Sequence, residues 1–195
     1  MDMDDIAKYT YEIGHLKRVK RSGWWIAGIT DPESVAEHTA RTAMLGYLLA
    51  SLAGADPMKT ATICLFHDTA ETRIGDLHRV ARRYLDADKA EEQAFSEQVE
   101  RLPQEVATSL LSLYHEYEAR ESLEGQLAHD ADLLECLIQA REYQRQGHPD
   151  TQDWITNCAA GLRTDIARQL AEACLQAEPS AWWQGLKNNR RNVEE

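Results

Sequence analysis

Apolar residues recur along most of the chain at the three- and four-residue spacing of amphipathic α-helices. Short runs that contain glycine or proline separate these segments and mark helix ends. The pattern therefore predicts an all-α protein. The predicted helices cover residues 6–19, 34–52, 57–70, 88–101, 104–120, 123–146 and 165–177, with a turn at 73–76 and a break at 147–149.

The clearest helix start lies ahead of the second predicted helix. Ser34 and Glu37 have the spacing of a capping box, in which each residue caps a backbone N–H group of the other. Pro32, just before them, fits the first turn of a helix. This start signal places His38 on the helix.

Length and composition indicate one domain over residues 1–195. A chain of this length buries a sizeable core without cross-links, and no stretch rich in Pro, Gly or Ser is long enough to separate two cores. The 10 Gly and 5 Pro are too few for an all-β fold with many tight turns. The four cysteines form no C-x-x-C pair, so we expect buried small side chains, not a zinc knuckle or a dithiol site.

The formal net charge of −12 is unfavourable for binding nucleic acid or an anionic membrane surface. The first five residues are acidic where a signal peptide would be basic, and no apolar run approaches the roughly 18 residues that span a bilayer. We therefore expect a cytoplasmic protein without nucleic-acid or membrane partners.

A His-Asp pair near a predicted helix end is the first candidate for chemistry. His67 and Asp68 directly follow the apolar stretch 63–66. Burying an ionised carboxylate costs several kcal/mol unless a cation or a strong hydrogen-bond donor compensates. A metal ion would supply that compensation, although a His-Asp pair alone is weak evidence for one.

Further candidate ligands lie on two other predicted helices. They are His38 and an aspartate near position 130, either Asp130 or Asp132, between which helical periodicity does not choose. Two imidazoles and two carboxylates without thiolates suit a catalytic divalent ion, not a closed structural zinc site. Such an ion activates water and polarises a phosphoryl oxygen, so the set favours hydrolysis. The candidate ions are Mn²⁺, Co²⁺, Fe²⁺, Ni²⁺, Zn²⁺ and Mg²⁺.

The order His…His-Asp…Asp resembles the HD-domain superfamily of metal-dependent phosphohydrolases. Within it, the segments PESVAEH (32–38), HDTAE (67–71) and GD (75–76) are similar to the 5′-deoxynucleotidase branch, the YfbR-like and HDDC2-like proteins. The resemblance covers about residues 13–145. It implies a single globular HD-domain helical fold with the helix at 165–177 packed on it, one divalent metal, a nucleotide substrate and a possible homodimer.

The resemblance assigns four metal ligands. They are His38, His67, Asp68 and Asp132. Asp132 is favoured over Asp130 because the Asp-x-x-Glu spacing of the family aligns there.

Two further carboxylates are the candidate catalytic residues. Glu71 lies three residues after Asp68, so one helical turn places both on the same face, where Glu71 can contact a metal-bound water or the leaving oxygen. Asp76 follows Gly75 in a turn. The resemblance implies that Asp76 orients the nucleophile or accepts a hydrogen bond from the substrate sugar.

Phosphate binding requires cationic donors, and Arg18 and Arg21 are the candidates within the basic segment 17–21. YfbR-like proteins have an arginine directly before a tryptophan, whereas this chain has Gly23 before Trp24, as the HDDC2-like branch does. In YfbR-like proteins the tryptophan is thought to crowd the sugar 2′ position and to favour deoxyribose. The resemblance gives Trp24 this role.

These observations predict an enzyme that converts nucleoside 5′-monophosphates, preferentially 2′-deoxyribonucleotides, to nucleoside and phosphate by attack of metal-bound water. One alternative keeps the site but changes the substrate to a nucleoside triphosphate, a cyclic nucleotide or an alarmone. Longer polyphosphates usually require more cationic residues than the chain offers outside 17–21 and 79–83. The other alternative is a non-catalytic nucleotide sensor, which the complete ligand set and Glu71 disfavour.

Overall fold

The fold of this protein is formed by helices. It is described by a computed structural model that covers residues 3–184 and 186. Within those residues there is no strand, and extended pairing is limited to one antiparallel bridge between Lys20 and Ser34. The prediction of an all-α fold is confirmed. Residues 187–195 of the predicted domain lie outside the described residues. The helices are α1 (Met3–Ile13), α2 (Gly23–Ile26), α3 (Val35–Ala53), α4 (Pro57–Phe66), α5 (Glu71–Ile74), α6 (Arg79–Arg82), α7 (Ala87–Val99), α8 (Gln104–Ala119), α9 (Leu123–Arg145), α10 (Gln152–Gly161), α11 (Asp165–Gln176) and α12 (Ala181–Gln184), with 3₁₀ turns at Gly14–Lys17 and Pro149–Thr151.

The long helices α3, α7, α8, α9 and α11 begin and end within two residues of their predicted bounds. The first helix is shorter than predicted: it ends at Ile13, because the poor helix former Gly14 follows and the chain tightens there into a 3₁₀ turn. The sequence predicts no helix between residues 149 and 165, yet α10 forms there.

The helix predicted over 57–70 ends early, at Phe66. Beyond it, hydrogen bonds span three residues instead of four, as in the bond from the Glu71 amide to the Asp68 carbonyl oxygen. His67 and Asp68 therefore lie at a helix end, as predicted.

The start of α3 is a complete capping box, as predicted. The Ser34 side chain accepts a hydrogen bond from the Glu37 amide, and the Glu37 carboxylate accepts one from the Ser34 amide. Further along α3, a Cβ atom on Gly46 would lie only 2.7 Å from Cys64 Sγ on α4. Glycine therefore allows α3 and α4 to pack closely.

The main core surrounds α9, which packs against α3, α4, α8, α10 and α11. Burial of a large apolar side chain contributes about 1.5–3 kcal/mol, so this helix organises much of the fold. Polar groups on it require partners, because an unpaired buried carboxylate is costly. Fully buried apolar residues of α9 are Leu127, Ala128, Ala131, Leu134, Leu137 and Ala140.

A second, smaller core lies between α7 and α8, where the rings of Phe95 and Tyr114 stack with centroids 4.7 Å apart. On the other side of α9, α11 packs against both α9 and α3. None of the described helices combines the length and apolar character needed to cross a membrane.

Candidate active site

Two imidazoles and two carboxylates from three parts of the chain meet in the structure. His38 lies near the start of α3, His67 and Asp68 follow the end of α4, and Asp132 lies on α9. His38 Nε2 is 3.2 Å from Asp132 Oδ1 and 3.6 Å from Asp68 Oδ2. His67 Nε2 is 3.1 Å from Asp68 Oδ2 and 4.0 Å from Asp132 Oδ1. The structure thus brings the four predicted ligands together.

Hydrogen bonds orient both imidazole rings. His38 Nδ1–H donates to Glu135 Oε2 at 2.5 Å, and His67 Nδ1–H donates to the Cys64 carbonyl oxygen at 2.7 Å. A proton on Nδ1 leaves Nε2 of each ring with its lone pair, which is the form that binds a metal. The two Nε2 atoms are the ones that face the carboxylates.

The cluster has the properties of a site for a divalent cation. His67 Nε2 and Asp68 Oδ2 are buried and have no hydrogen-bond partner. Burial by itself lowers the pKa of His38, but the carboxylates of Glu135 and Asp132 raise it to about 10, so the surroundings strongly favour positive charge. A cation held by two imidazole nitrogens and two carboxylate oxygens would satisfy the unpartnered atoms and balance the carboxylates.

Asp130, the alternative ligand on α9, has a different role. Its carboxylate accepts hydrogen bonds from the backbone N–H groups of Arg163 and Thr164 at 2.9 and 2.8 Å, and from the Thr164 hydroxyl at 2.6 Å. Two residues along a helix correspond to a rotation of about 200°, so their side chains point to nearly opposite sides. Asp130 therefore holds the start of α11, whereas Asp132 faces the cluster.

A buried network that the sequence did not identify supports the ligands. Glu135, which holds His38, also accepts a hydrogen bond from Arg41 Nε at 2.9 Å, and Arg41 Nη1 donates to Glu142 at 2.9 Å. The Tyr117 hydroxyl donates to Asp132 Oδ2 at 2.9 Å. Glu135 lies three residues after Asp132 and directly follows the apolar Leu134, and this position is the sequence signal for such a role.

Glu135→Gln is expected to weaken metal binding by about 10- to 100-fold, because the amide loses the charged contact that orients His38. The dissociation constant can be measured by competition with a chelating dye. Glu121→Gln, at an exposed position, is the control and should bind metal as the wild type does. Unchanged affinity in Glu135→Gln would contradict the orienting role.

Glu71 is buried beside the cluster, with only 3% of its surface exposed, and its Oε2 atom has no hydrogen-bond partner. Burial and the nearby carboxylates of Asp68 and Asp76 raise the pKa of Glu71 well above its usual range. Its environment therefore favours a protonated side chain that can donate a proton into the cavity.

Asp76 anchors the segment that carries Arg21. Its Oδ2 atom accepts a hydrogen bond from the Ser22 amide, and its Oδ1 atom lies 3.3 Å from Arg21 Nη1. Gly75, with a φ of 75°, turns the chain just before it. These contacts place Asp76 beside Arg21 at the cavity, and the two roles predicted for Asp76 stay predictions.

Of the two predicted phosphate-binding arginines, the structure brings Arg21 to the site and leaves Arg18 outside. Arg21 Nη1 lies 3.5 Å from Asp68 Oδ2. The Arg21 amide donates to the Glu33 carbonyl oxygen, which fixes this segment against the start of α3. Arg18 is exposed and does not line the cavity, because it follows the 3₁₀ turn on the outer side of the segment.

Trp24 is a rigid part of the cavity wall. Its side chain is 2% exposed, and its Nε1–H donates to Glu33 Oε1 at 3.0 Å. The ring packs edge-on against Tyr143 and beside Trp154, with centroid distances of 5.2 and 5.5 Å. The Trp24 indole is therefore held in one orientation.

A cavity of about 960 Å³ opens onto the ligand cluster. Its volume is at the upper end of the range for small-molecule sites, about 300–1,000 Å³. Asp68, Asp132, Arg21 and Trp24 line one part of it, and residues of the unpredicted helix α10 line another. The cluster is therefore accessible to a ligand of substantial size.

This fold and this ligand set define a metal-dependent phosphohydrolase of the HD class. The HD-domain family matches residues 13–174 of the chain. The human 5′-deoxynucleotidase HDDC2 is 30% identical over 86% of this chain and 83% of its own, and the Dictyostelium discoideum 5′-deoxynucleotidase HDDC2 is 34% identical over 69% and 75%. The chain belongs to the HD-domain family and, within it, to the 5′-deoxynucleotidase branch.

A solved structure supports the same fold. A conserved hypothetical protein from Pyrococcus furiosus superimposes with a TM-score of 0.74 at 32% sequence identity, over 88% of this chain and 99% of its own. The match covers nearly the whole of that protein, so the two share the same helical fold.

Proposed function

We propose that the protein hydrolyses 2′-deoxyribonucleoside 5′-monophosphates to the nucleoside and inorganic phosphate. The observation that carries this proposal is the meeting of His38, His67, Asp68 and Asp132 in one cluster, of which all but the fully buried His38 line the cavity, with the guanidinium group of Arg21 beside them. The relatives in the same branch are named 5′-deoxynucleotidases, which supports this substrate class.

His38, His67, Asp68 and Asp132 would hold a divalent cation, which would supply Lewis acidity, polarising a phosphoryl oxygen and making water a better nucleophile near neutral pH. Arg21 binds the phosphate as a charge-assisted hydrogen-bond donor. Asp76 keeps the Arg21 side chain directed into the cavity. Two imidazoles among the ligands favour Mn²⁺, Co²⁺, Fe²⁺, Ni²⁺ or Zn²⁺ over Mg²⁺, which prefers oxygen ligands.

Glu71 donates a proton to the departing 5′ oxygen. A leaving alkoxide is a strong base, so a positioned acid accelerates its departure. The buried Glu71 carboxyl, with its raised pKa and an Oε2 atom without a hydrogen-bond partner, is suited to this task.

Trp24 excludes the 2′-hydroxyl group of ribonucleotides. Its indole is fixed by the hydrogen bond to Glu33 and by packing against Tyr143 and Trp154, so it cannot move aside without breaking these contacts. A rigid apolar wall offers no partner for a hydroxyl group, whose burial without a hydrogen bond is unfavourable.

A longer polyphosphate would not gain the guanidinium group of Arg82 without cost, because this side chain at the cavity wall is already paired. Arg82 donates to Asp88 at 3.0 Å and also contacts Glu91. A triphosphate would have to displace these carboxylates to gain the same donors.

The sequence predictions of a homodimer and of a cytoplasmic location stay predictions. An exposed apolar row on α3, formed by Met44, Leu48 and Leu52 at four-residue spacing, supports a surface for a second copy.

The proposal is tested by phosphate release from dAMP, AMP, dATP and para-nitrophenyl phosphate. Chelator-treated protein should be inactive, and single additions of Mn²⁺, Co²⁺ or Zn²⁺ should restore hydrolysis more effectively than Mg²⁺. We expect dAMP to exceed AMP in kcat/KM by about tenfold or more. Hydrolysis of dATP without hydrolysis of either monophosphate would overturn the assignment.

A further inference from the structure

One wall of the cavity has no role in the reaction proposed above. It is formed by α10, whose residues Asp153, Trp154, Asn157 and Cys158 all line the cavity. On an α-helix, residues at positions 153, 154, 157 and 158 lie on one broad side. α10 therefore presents a continuous polar and aromatic surface to the ligand space.

This wall lies next to the metal cluster along α9. Asp132 and Cys136 are four residues apart on α9, about 6 Å along its axis, and both line the cavity. Cys136 on that next turn of α9 and Cys158 on α10 both line the cavity, and the two helices pack against each other. A nucleotide whose phosphate lies at the cluster can therefore extend towards α10.

The position of Trp24 also indicates that the nucleoside extends towards α10. If the sugar packs against Trp24, the next aromatic surface is Trp154, whose ring centroid lies 5.5 Å from that of Trp24. Trp154 is half-buried and lines the cavity, and Gly23 lies beside one edge of its ring, where a Cβ atom would be 3.6 Å from Trp154 Nε1. An indole in this position offers a surface on which a base can stack.

We propose that the cavity side of α10 is the nucleobase subsite, and that it selects bases with an exocyclic amino group over bases with a carbonyl oxygen in the same position. This inference rests on the function proposed above. Trp154 provides the stacking surface, and Asp153 and Asn157 contact the edge of the base.

Hydrogen-bond chemistry gives the selectivity. Asp153 carries a carboxylate that only accepts hydrogen bonds, whereas the Asn157 amide accepts through its oxygen and donates through its nitrogen. Both side chains are exposed to the cavity, and neither has a side-chain hydrogen-bond partner among the described residues. An amino group donates to a carboxylate, but a carbonyl oxygen in its place is repelled by one.

Matched substrates isolate this effect. Cytosine and uracil differ by an amino group and a carbonyl oxygen at one ring position and by the hydrogen on the neighbouring ring nitrogen, and adenine and hypoxanthine differ in the same way. With the metal-loaded enzyme we expect kcat/KM to favour dCMP over dUMP, and dAMP over dIMP, each by about tenfold. Because sugar and phosphate are identical within each pair, the ratio reports on the base alone.

Asp153→Asn should reduce both ratios to within about twofold, because the amide can rotate to donate to a carbonyl oxygen as well. The change lies at an exposed position, so folding should be retained. Glu172→Gln, on the exposed surface of α11 outside the cavity, is the matched control and should leave both ratios unchanged.

The outcomes separate this inference from the proposed function. Hydrolysis of all four deoxynucleotides at equal kcat/KM, or a preference that Asp153→Asn does not alter, would overturn the base subsite and leave the phosphatase assignment intact. Failure to hydrolyse any of the four would overturn the proposed function and the subsite with it.

Discussion

Asp132→Asn is expected to release the metal and to lower kcat/KM by about a thousandfold or more. The substitution keeps the shape of the side chain but removes a charge that lies 3.2 Å from His38 Nε2. Metal content by mass spectrometry and the rate of dAMP hydrolysis should fall together. Asp68→Ala should have the same two effects, because it removes the other carboxylate of the cluster.

Asp130→Asn is the matched control, two residues away on the same helix. Its carboxylate binds the start of α11 through Arg163 and Thr164 and does not face the cluster. We expect full metal content, near-normal activity, and a free energy of unfolding lowered by about 1–3 kcal/mol. Loss of metal from Asp130→Asn with retention in Asp132→Asn would reverse the ligand assignment.

Glu71→Gln is expected to lower kcat for dAMP by about 10²- to 10⁴-fold while metal content stays at the wild-type level. Glutamine retains the size of the buried side chain but has no proton to donate to the leaving oxygen. Because para-nitrophenolate is a weak base that leaves without help, hydrolysis of para-nitrophenyl phosphate should fall much less. Comparison of kcat for the two substrates measures the role of Glu71 as an acid.

Glu118→Gln is the control for this experiment. Glu118 also lines the cavity but is exposed, so its replacement should leave the ratio of the two rates unchanged. An equal loss on both substrates in Glu71→Gln would contradict proton donation and indicate a structural role beside Asp68.

Helix boundaries were predictable where the signal is local. The capping box at Ser34 and Glu37 and the left-handed Gly54 at the other end of α3 depend on side chains within a few positions of each backbone group. The missed helix also has a physical explanation. α10 is short and flanked by polar residues, so it carries too few periodic apolar positions to be recognised, and it is stabilised by packing against α9.

The cluster of two imidazoles and two carboxylates could be predicted because the order of these residues along the chain is distinctive and resembles a known family; their role as metal ligands stays a prediction. Their partners could be predicted only in part. Glu135 lies three residues after Asp132, but the contacts of Glu135 with His38 and of Tyr117 with Asp132 join residues on different helices. A contact between residues far apart in sequence leaves no periodic signal that a single chain reveals.

The sequence by itself determined the all-α class, the bounds of the long helices and the residue types of the metal cluster, because helix propensity, capping and ligand chemistry are local properties. Tertiary packing turned Asp132 to the cluster and Asp130 to the start of α11, a choice that helical periodicity left open and only the family resemblance favoured. It also placed Arg21 inside the cavity and Arg18 outside, set Asp76 beside Arg21, and brought α10 to the ligand space. Each of these depends on which side of a helix or loop faces its neighbours, and that is fixed only when the whole core is assembled.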